Sequence, residues 1–334
     1  MRRLLLAFGL LLVWAPQMAL ARVFYVGPLH EFKQPSAVAR LVAAGDEVQI
    51  EPGEYYDCAL WPVDRLTIVG RGSGAVMTDR QCNGKASFII NGDDVVLRNL
   101  TFTRIRVPDR NGAGIRHQGG DLTVENCRFI NNEAGIISSG APDARIVIRD
   151  SMFEQNGACV DGRCTASLIV PDVTVLRLER TRFVAPRGGS LLRSNARRSV
   201  LIDNYFDDGP DGAALPMVIV TGDLQADGNR FVRRQAGAGM PAILEHSLWR
   251  TPMVALERNS LVADAPTLLL LNMSSADPVM ADNAVPAGGL AVSNEGLLVA
   301  RARDAARRGV RLGAHLVGPL ARGVQRLEGR MLPP

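Results

Sequence analysis

Eight segments of the chain align on one large apolar residue. They are VVLRNLTF ending at Phe102, LTVENCRF at Phe129, IVIRDSMF at Phe153, LRLERTRF at Phe183, SVLIDNYF at Phe206, LQADGNRF at Phe231, VALERNSL at Leu261 and PVMADNAV at Val285. The intervals between these ends are 27, 24, 30, 23, 25, 30 and 24 residues. A unit of this size cannot bury its own apolar face, so a period in this range demands that the units stack on one another.

Within each unit the residues seven and five before the aromatic are mostly apolar, as at Leu122 and Val124 or Ile146 and Ile148. Alternation with a period of two means a strand with those side chains pointing inward. About ten residues after each aromatic comes a second apolar strand: GIRHQ from Gly114, GIISS from Gly135, SLIVP from Ser167, SLLRS from Ser190, MVIVT from Met217, AILEH from Ala242 and LLLLN from Leu268. Two residues before the aromatic lie Leu100, Cys127, Ser151, Thr181, Asn204, Asn229, Asn259 and Asn283. Asn suits a sharp bend because it tolerates left-handed backbone, and stacked amides can bond to one another as a ladder. Cys127 stands in this column, which predicts a buried structural thiol.

Upstream, GDEVQIEPGEYYDCALW from Gly45 and RLTIVGRGSGAV from Arg65 read as the first coils. PSAVARLVAAG (residues 35 to 45) has the spacing of a short amphipathic helix, with Ser36 as N-cap and Gly45 as stop, that would cover the open end of the stack. After Asn283 the pattern ends at PAGG, and from Ser293 the spacing of Leu297, Leu298, Ala302, Ala305 and Ala306 is helical.

The GDEVQIEPGEYYDC opening, the recurring N-x-F ending and the Gly-Ile strands resemble the right-handed parallel β-helix superfamily, the pectate-lyase-like fold, over residues 34 to 290. The resemblance implies an all-β chain: a single-stranded right-handed parallel β-helix of about ten coils with an N-terminal capping helix and a C-terminal helical segment. The expected organisation is a signal peptide at 1–21, an N-terminal strand and capping helix at 22–45, the β-helix at 46–290 and a basic C-terminal cap or tail at 291–334.

The first residues, MRRLLLAFGLLLVWAPQMALA, carry Arg2 and Arg3, an apolar run to Trp14 and an A-x-A site at Ala19 and Ala21, which predicts export to the periplasm or beyond. No later stretch reaches the roughly 20 apolar residues of a spanning helix, so the processed protein is not expected to cross a membrane. Loss of Arg2 and Arg3 takes the net charge from +4 to +2, a near-neutral body that argues against a nucleic-acid partner. Residues 301 to 330 hold eight arginines against Asp304 and Glu328, either as part of a terminal cap or as a hold on an anionic polymer or membrane surface. Export permits disulfides, and the preferred pairs are Cys58 with Cys82 and Cys159 with Cys164. Neither a C-x-x-C motif nor clustered histidine supports a metal site.

In enzymes with this fold the Gly-Ile strands form the face along which a sugar chain lies. With the Ile inward, the outward column would be Arg116, Ile137, Ile169, Leu192, Ile219 and Leu244, while a slip of one residue would present His117, Ser138, Val170, Arg193, Val220 and Glu245. A lyase on a uronate needs a base for the proton beside the carboxylate and a cation to neutralise that carboxylate. The catalytic candidates are therefore Arg116, His117, Arg193, Glu245 and His246, with Arg106, Arg110, Gln118 and Ser138 as substrate-binding candidates. The stretch RVPDR (residues 106 to 110) resembles the arginine-proline-arginine motif of pectate lyases but lacks one spacing residue, and no paired aspartates precede it. No cofactor is expected; calcium has no motif, although the acidic loop DDGPDG (residues 207 to 212) has a suitable composition.

Two readings stay open. One is an exported β-helix protein that binds an anionic polysaccharide, with cleavage or epimerisation as its catalytic form. The other is a non-catalytic envelope scaffold or binding module that docks a partner on the apolar column Ile137, Ile169, Leu192, Ile219 and Leu244.

Overall fold

A computed structural model describes residues 21–211, 214–234, 240–247 and 251–294. The expected leader falls on residues 1–20 and the arginine-rich helical segment on 295–334, both outside the described residues. Three parallel sheets make up the body. Sheet A has eleven strands, from Val23–Val26 to Val279–Ala281; sheet B has nine, from Gly53–Tyr55 to Ser260–Ala263; sheet C has ten, from Ala59–Trp61 to Leu290–Asn294. The chain visits A, B and C in that order on each coil, and every strand pairs in parallel with its counterparts one coil away. The result is an all-β parallel solenoid of about ten turns.

The core follows from the alternation. Leu122 and Val124 stand opposite Ile146 and Ile148, and all four are buried. On sheet B the aromatic of each repeat lies directly on the next, with Phe102, Phe129, Phe153, Phe183, Phe206 and Phe231 stacked at centroid separations of 4.6 to 5.3 Å and planes within 15°. The strand spacing of roughly 4.8 Å imposes that separation, and each fully buried ring contributes about 2 kcal/mol of transfer free energy.

The Asn column forms the expected ladder. Asn204 Nδ2 donates to Asn229 Oδ1, Asn229 Nδ2 to Asn259 Oδ1 and Asn259 Nδ2 to Asn283 Oδ1, each at 2.9 Å. The left-handed backbone sits one residue earlier than the sequence reading placed it. Asn99, Asn126, Asp150, Arg180, Asp203, Arg258 and Asp282 have φ between 45° and 53°, and Gly228 has 65°. Ladder residues are thus held by side-chain hydrogen bonds, and the residue before each makes the bend. Cys127 is buried in the same column, its thiol donating to Glu125 O at 3.3 Å.

At the N-terminal end, helix α1 spans only Pro35–Ala39, with Gln34 rather than Ser36 at its N-cap and Pro35, Val38 and Ala39 buried. At the other end Ser293 and Asn294, expected to open a helix, lie in the last strand of sheet C, where Leu270 pairs with Val292. Both anticipated disulfides are present, Cys58–Cys82 and Cys159–Cys164. Asp207 and Asp208 of the acidic loop are engaged by Arg234 at 2.9 Å and Arg233 at 3.3 Å.

Candidate functional site

The register of sheet C settles which side chains face out. The outward column is Ile89, Arg116, Ile137, Ile169, Arg193, Ile219, Leu244 and Leu271. Leu192, expected in it, pairs with Leu168 and Val218 and faces inward, and Arg193 takes its place. The slip arises because Leu191, not Ser190, occupies the position that Gly135 holds two coils earlier. That position is tight in the glycine coils, where a Cβ on Gly135 would lie 2.5 Å from the Phe153 ring.

The residues expected to act together are not brought together. Arg116 and Arg193 lie in one column but three strand steps apart, roughly 14 Å. His117 and Ser138 face the interior, bonded to each other at 2.9 Å, and Glu245 is wholly buried with Oε1 accepting the Ser247 N–H at 2.9 Å. Burial pushes the His117 imidazole down to about 4 and raises the Glu245 carboxyl. His246 is half-buried just past the strand, and Gln118 is exposed in the turn.

The apolar column is mostly covered, with Ile169 and Leu271 half-buried. Ile89, Ile137, Ile219 and Leu244 are 1%, 8%, 9% and 1% exposed. Ile89 and Ile137 pack with Ala86, Ala113 and Ala134 against Cys82 and Ile169, and Ile219 and Leu244 pack with Met273. Turns from sheet B to sheet C lean over this face, with Asn111 O accepting from Arg116 Nη2 and Cys164 O from Arg193 Nη2, each at 3.4 Å.

Those turns hold a cluster that the sequence reading half anticipated. Arg106, Glu133, Gly157 and Arg187 each stand four residues after the stacked phenylalanine of their own coil, so they lie in successive turns. Glu133 is 1% exposed, and its Oε2 accepts the backbone N–H groups of Val107 and Gly112, each at 2.9 Å, which closes the loop from Ile105 to Gly112. Asn132 supports the same loop by accepting the Ile105 N–H at 3.0 Å, and its Nδ2 donates to Asn156 Oδ1 at 3.1 Å, a second and shorter amide ladder.

Three arginines surround this carboxylate. Arg106 donates to Asn131 O at 2.6 Å and Asn131 Oδ1 at 2.7 Å. Arg187 donates to Asn132 O at 3.0 Å and Gly157 O at 3.3 Å, and Arg110 lies 3.8 Å from Glu133 Oε1. Carbonyls orient Arg106 and Arg187 without neutralising them. Burial holds both guanidinium groups below the usual arginine value; Arg110 acts on each in the same direction and Glu133 opposes it, with Asp79 also opposing it at Arg106. Asp109, exposed in the loop, makes no ion pair among the described residues. Of the sequence candidates, Arg106 and Arg110 are therefore in one site, with Arg116 beneath the same loop; Glu133 and Arg187 were missed. Among the described residues no group of three or more His, Cys, Asp and Glu is arranged to hold a metal, and no helix is long and apolar enough to cross a membrane.

No protein-family model and no curated protein matches the chain. Solved structures do. A pectate lyase, Pel9A, superposes with a TM-score of 0.53 at 13% identity, covering 83% of this chain and 79% of that one. A PL6 family alginate lyase, AlyGC, gives 0.51 at 14% identity, covering 84% of this chain but 42% of the enzyme, so the chain spans less than half of that enzyme's length. With three parallel sheets coiled in register, a stacked phenylalanine column and an asparagine ladder, the chain has the parallel β-helix fold that these two lyases share.

Proposed function

We propose that this chain is an exported protein that binds an acidic polysaccharide, with Arg106, Arg110 and Arg187 receiving the polymer's anionic groups and Arg116 beside them. The observation that carries the reading is the charge balance of the cluster: three guanidinium groups, two of them positioned by neutral carbonyls, about one buried carboxylate. A preorganised cation group of this kind favours carboxylate or sulfate without reorganising. The shared fold of glycan-acting lyases and the two disulfides support the ligand class and the export. Helix α1 would then close the N-terminal end of the stack. The proposal stops at binding, because His117 and Glu245, two of the five catalytic candidates, are enclosed in the coil.

Electrophoresis of the mature protein through gels containing polygalacturonate, alginate, hyaluronan or neutral dextran tests this. The expected result is retardation by at least one acidic polymer, relieved by salt and lost in Arg106→Gln/Arg110→Gln/Arg187→Gln. Equal migration in every gel, or equal retardation by dextran, overturns it. Absorbance of an unsaturated product, followed with and without calcium, shows whether cleavage accompanies binding.

A further inference from the structure

The outer face of sheet B carries a second cationic feature. Its register places Thr101, Arg128, Met152, Arg182, Tyr205, Arg230 and Ser260 in one outward column. Arginine recurs on every second coil, so adjacent guanidinium groups are spaced at roughly 10 Å and the three span roughly 19 Å along the axis. All three arginines are exposed.

These arginines differ from those on sheet A and its turns. There Arg98 and Arg149 pair with Glu125, Arg180 with Asp150 and Arg258 with Asp227. Arg128, Arg182 and Arg230 form no ion pair among the described residues. In the adjacent outward column the carboxylates are Glu154, which also forms no ion pair among the described residues, and Asp207, which is taken up by Arg234 and by the Tyr205 hydroxyl at 2.8 Å. The column also holds an aromatic ring: the Arg182 guanidinium covers one face of Tyr205, 4.4 Å from its centroid, and the tethered hydroxyl fixes the ring. A rigid ring beside evenly spaced cations suits a linear polymer with flat C–H faces and periodic negative charge. It suits a lipid headgroup poorly, because the charges form a single line rather than a patch.

We propose that this column is a separate binding track for an acidic polysaccharide running parallel to the helix axis, with Arg128, Arg182 and Arg230 each meeting a negative group two coils from the next and Tyr205 stacking on an intervening sugar. It shares only its ligand class with the reading above, since Arg182 opens its strand of sheet B whereas Arg187 lies in the turn three residues beyond that strand's end.

The test measures affinity for immobilised polygalacturonate, alginate and hyaluronan, with dextran as control, in the wild type, in Arg128→Gln/Arg182→Gln/Arg230→Gln, in the same three positions changed to Lys, and in Arg106→Gln/Arg110→Gln/Arg187→Gln. The track predicts about tenfold weaker binding in the sheet B glutamine variant, from loss of three exposed charge contacts. Recovery is expected in the lysine variant, along with a shallower salt dependence in the glutamine variant. Wild-type affinity in the sheet B glutamine variant overturns the track while leaving the Glu133 cluster standing. Loss in that variant with full binding in the cluster variant retains the track and overturns the cluster as the binding site. Failure of the wild type to bind immobilised polygalacturonate, alginate and hyaluronan alike overturns both.

Discussion

Asn229 Oδ1 accepts two hydrogen bonds from Asn204, one from its side-chain Nδ2 at 2.9 Å and one from its backbone N–H at 3.0 Å. Each rung of the ladder therefore satisfies the backbone of the coil before it, while Asn229 Nδ2 also covers Leu201 O at 2.9 Å. Changing Asn229 to Ala leaves the Asn204 N–H and Leu201 O without these partners inside the stack, which is expected to cost about 3 kcal/mol. A urea titration checks this, and a loss below about 1 kcal/mol would mean that water or a neighbour replaces the rung.

The interior titratable groups predict opposed pH effects. His117 is held at about 4, against 6.5 in the open chain, so between those values the unfolded chain binds a proton that the folded chain refuses. Its contribution falls as the pH drops from 6.5 towards 4, by about 3 kcal/mol. Glu245 has a raised pKa, chiefly from burial, against an ordinary value of 4.5. Its contribution is full below 4.5 and is lost as the pH rises through the raised value. His117→Gln should flatten the acid limb of the stability profile, and Glu245→Gln should gain stability at neutral pH relative to acid. Denaturant midpoints from about pH 4 to about pH 7 measure both, and parallel profiles for wild type and variants would contradict the burial of these groups.

Burial pushes the Cys127 thiol up to about 12. A thiol in that state yields almost no thiolate at neutral pH, so the native protein should resist alkylation until it unfolds. Labelling of the folded protein at the rate of a free thiol would place Cys127 outside the ladder column.

Glu133 ties the loop carrying Arg106 and Arg110 through Val107 and Gly112. Glu133→Ala should speed exchange of those two amides by about tenfold to hundredfold, corresponding to loss of charge-assisted hydrogen bonds of about 1.5–3 kcal/mol, while the Phe153 coil stays protected. Unchanged exchange at Val107 and Gly112 would show that the loop is held by other contacts.

The stack was readable because its two columns, the phenylalanines and the asparagines, repeat against a fixed backbone period. The site was less so. The inward and outward faces of sheet C were assigned correctly for five of the six strands, and failed at SLLRS, where Leu191 fills a position that glycine takes in earlier coils and the alternation gives no sign of it. Arg106 and Arg110 drew notice as a near-motif, whereas Arg187 and Glu133 did not, since turns lack periodic hydrophobicity. Counting four residues on from Phe102, Phe129 and Phe183 would have found Arg106, Glu133 and Arg187 together. Glu245 and His117 were misread as surface groups because charge alone suggests exposure, while here Ser247 and Ser138 supply partners inside the coil.

Polymer binding depends on the positive charge held about Glu133. The direct measurement is calorimetric titration of the mature protein with a short galacturonate oligomer across a range of salt, in the wild type and in Arg106→Gln/Arg110→Gln/Arg187→Gln. The account predicts wild-type binding that weakens steeply with salt and falls by at least about tenfold in the variant. Salt-independent binding that survives in the variant would contradict it.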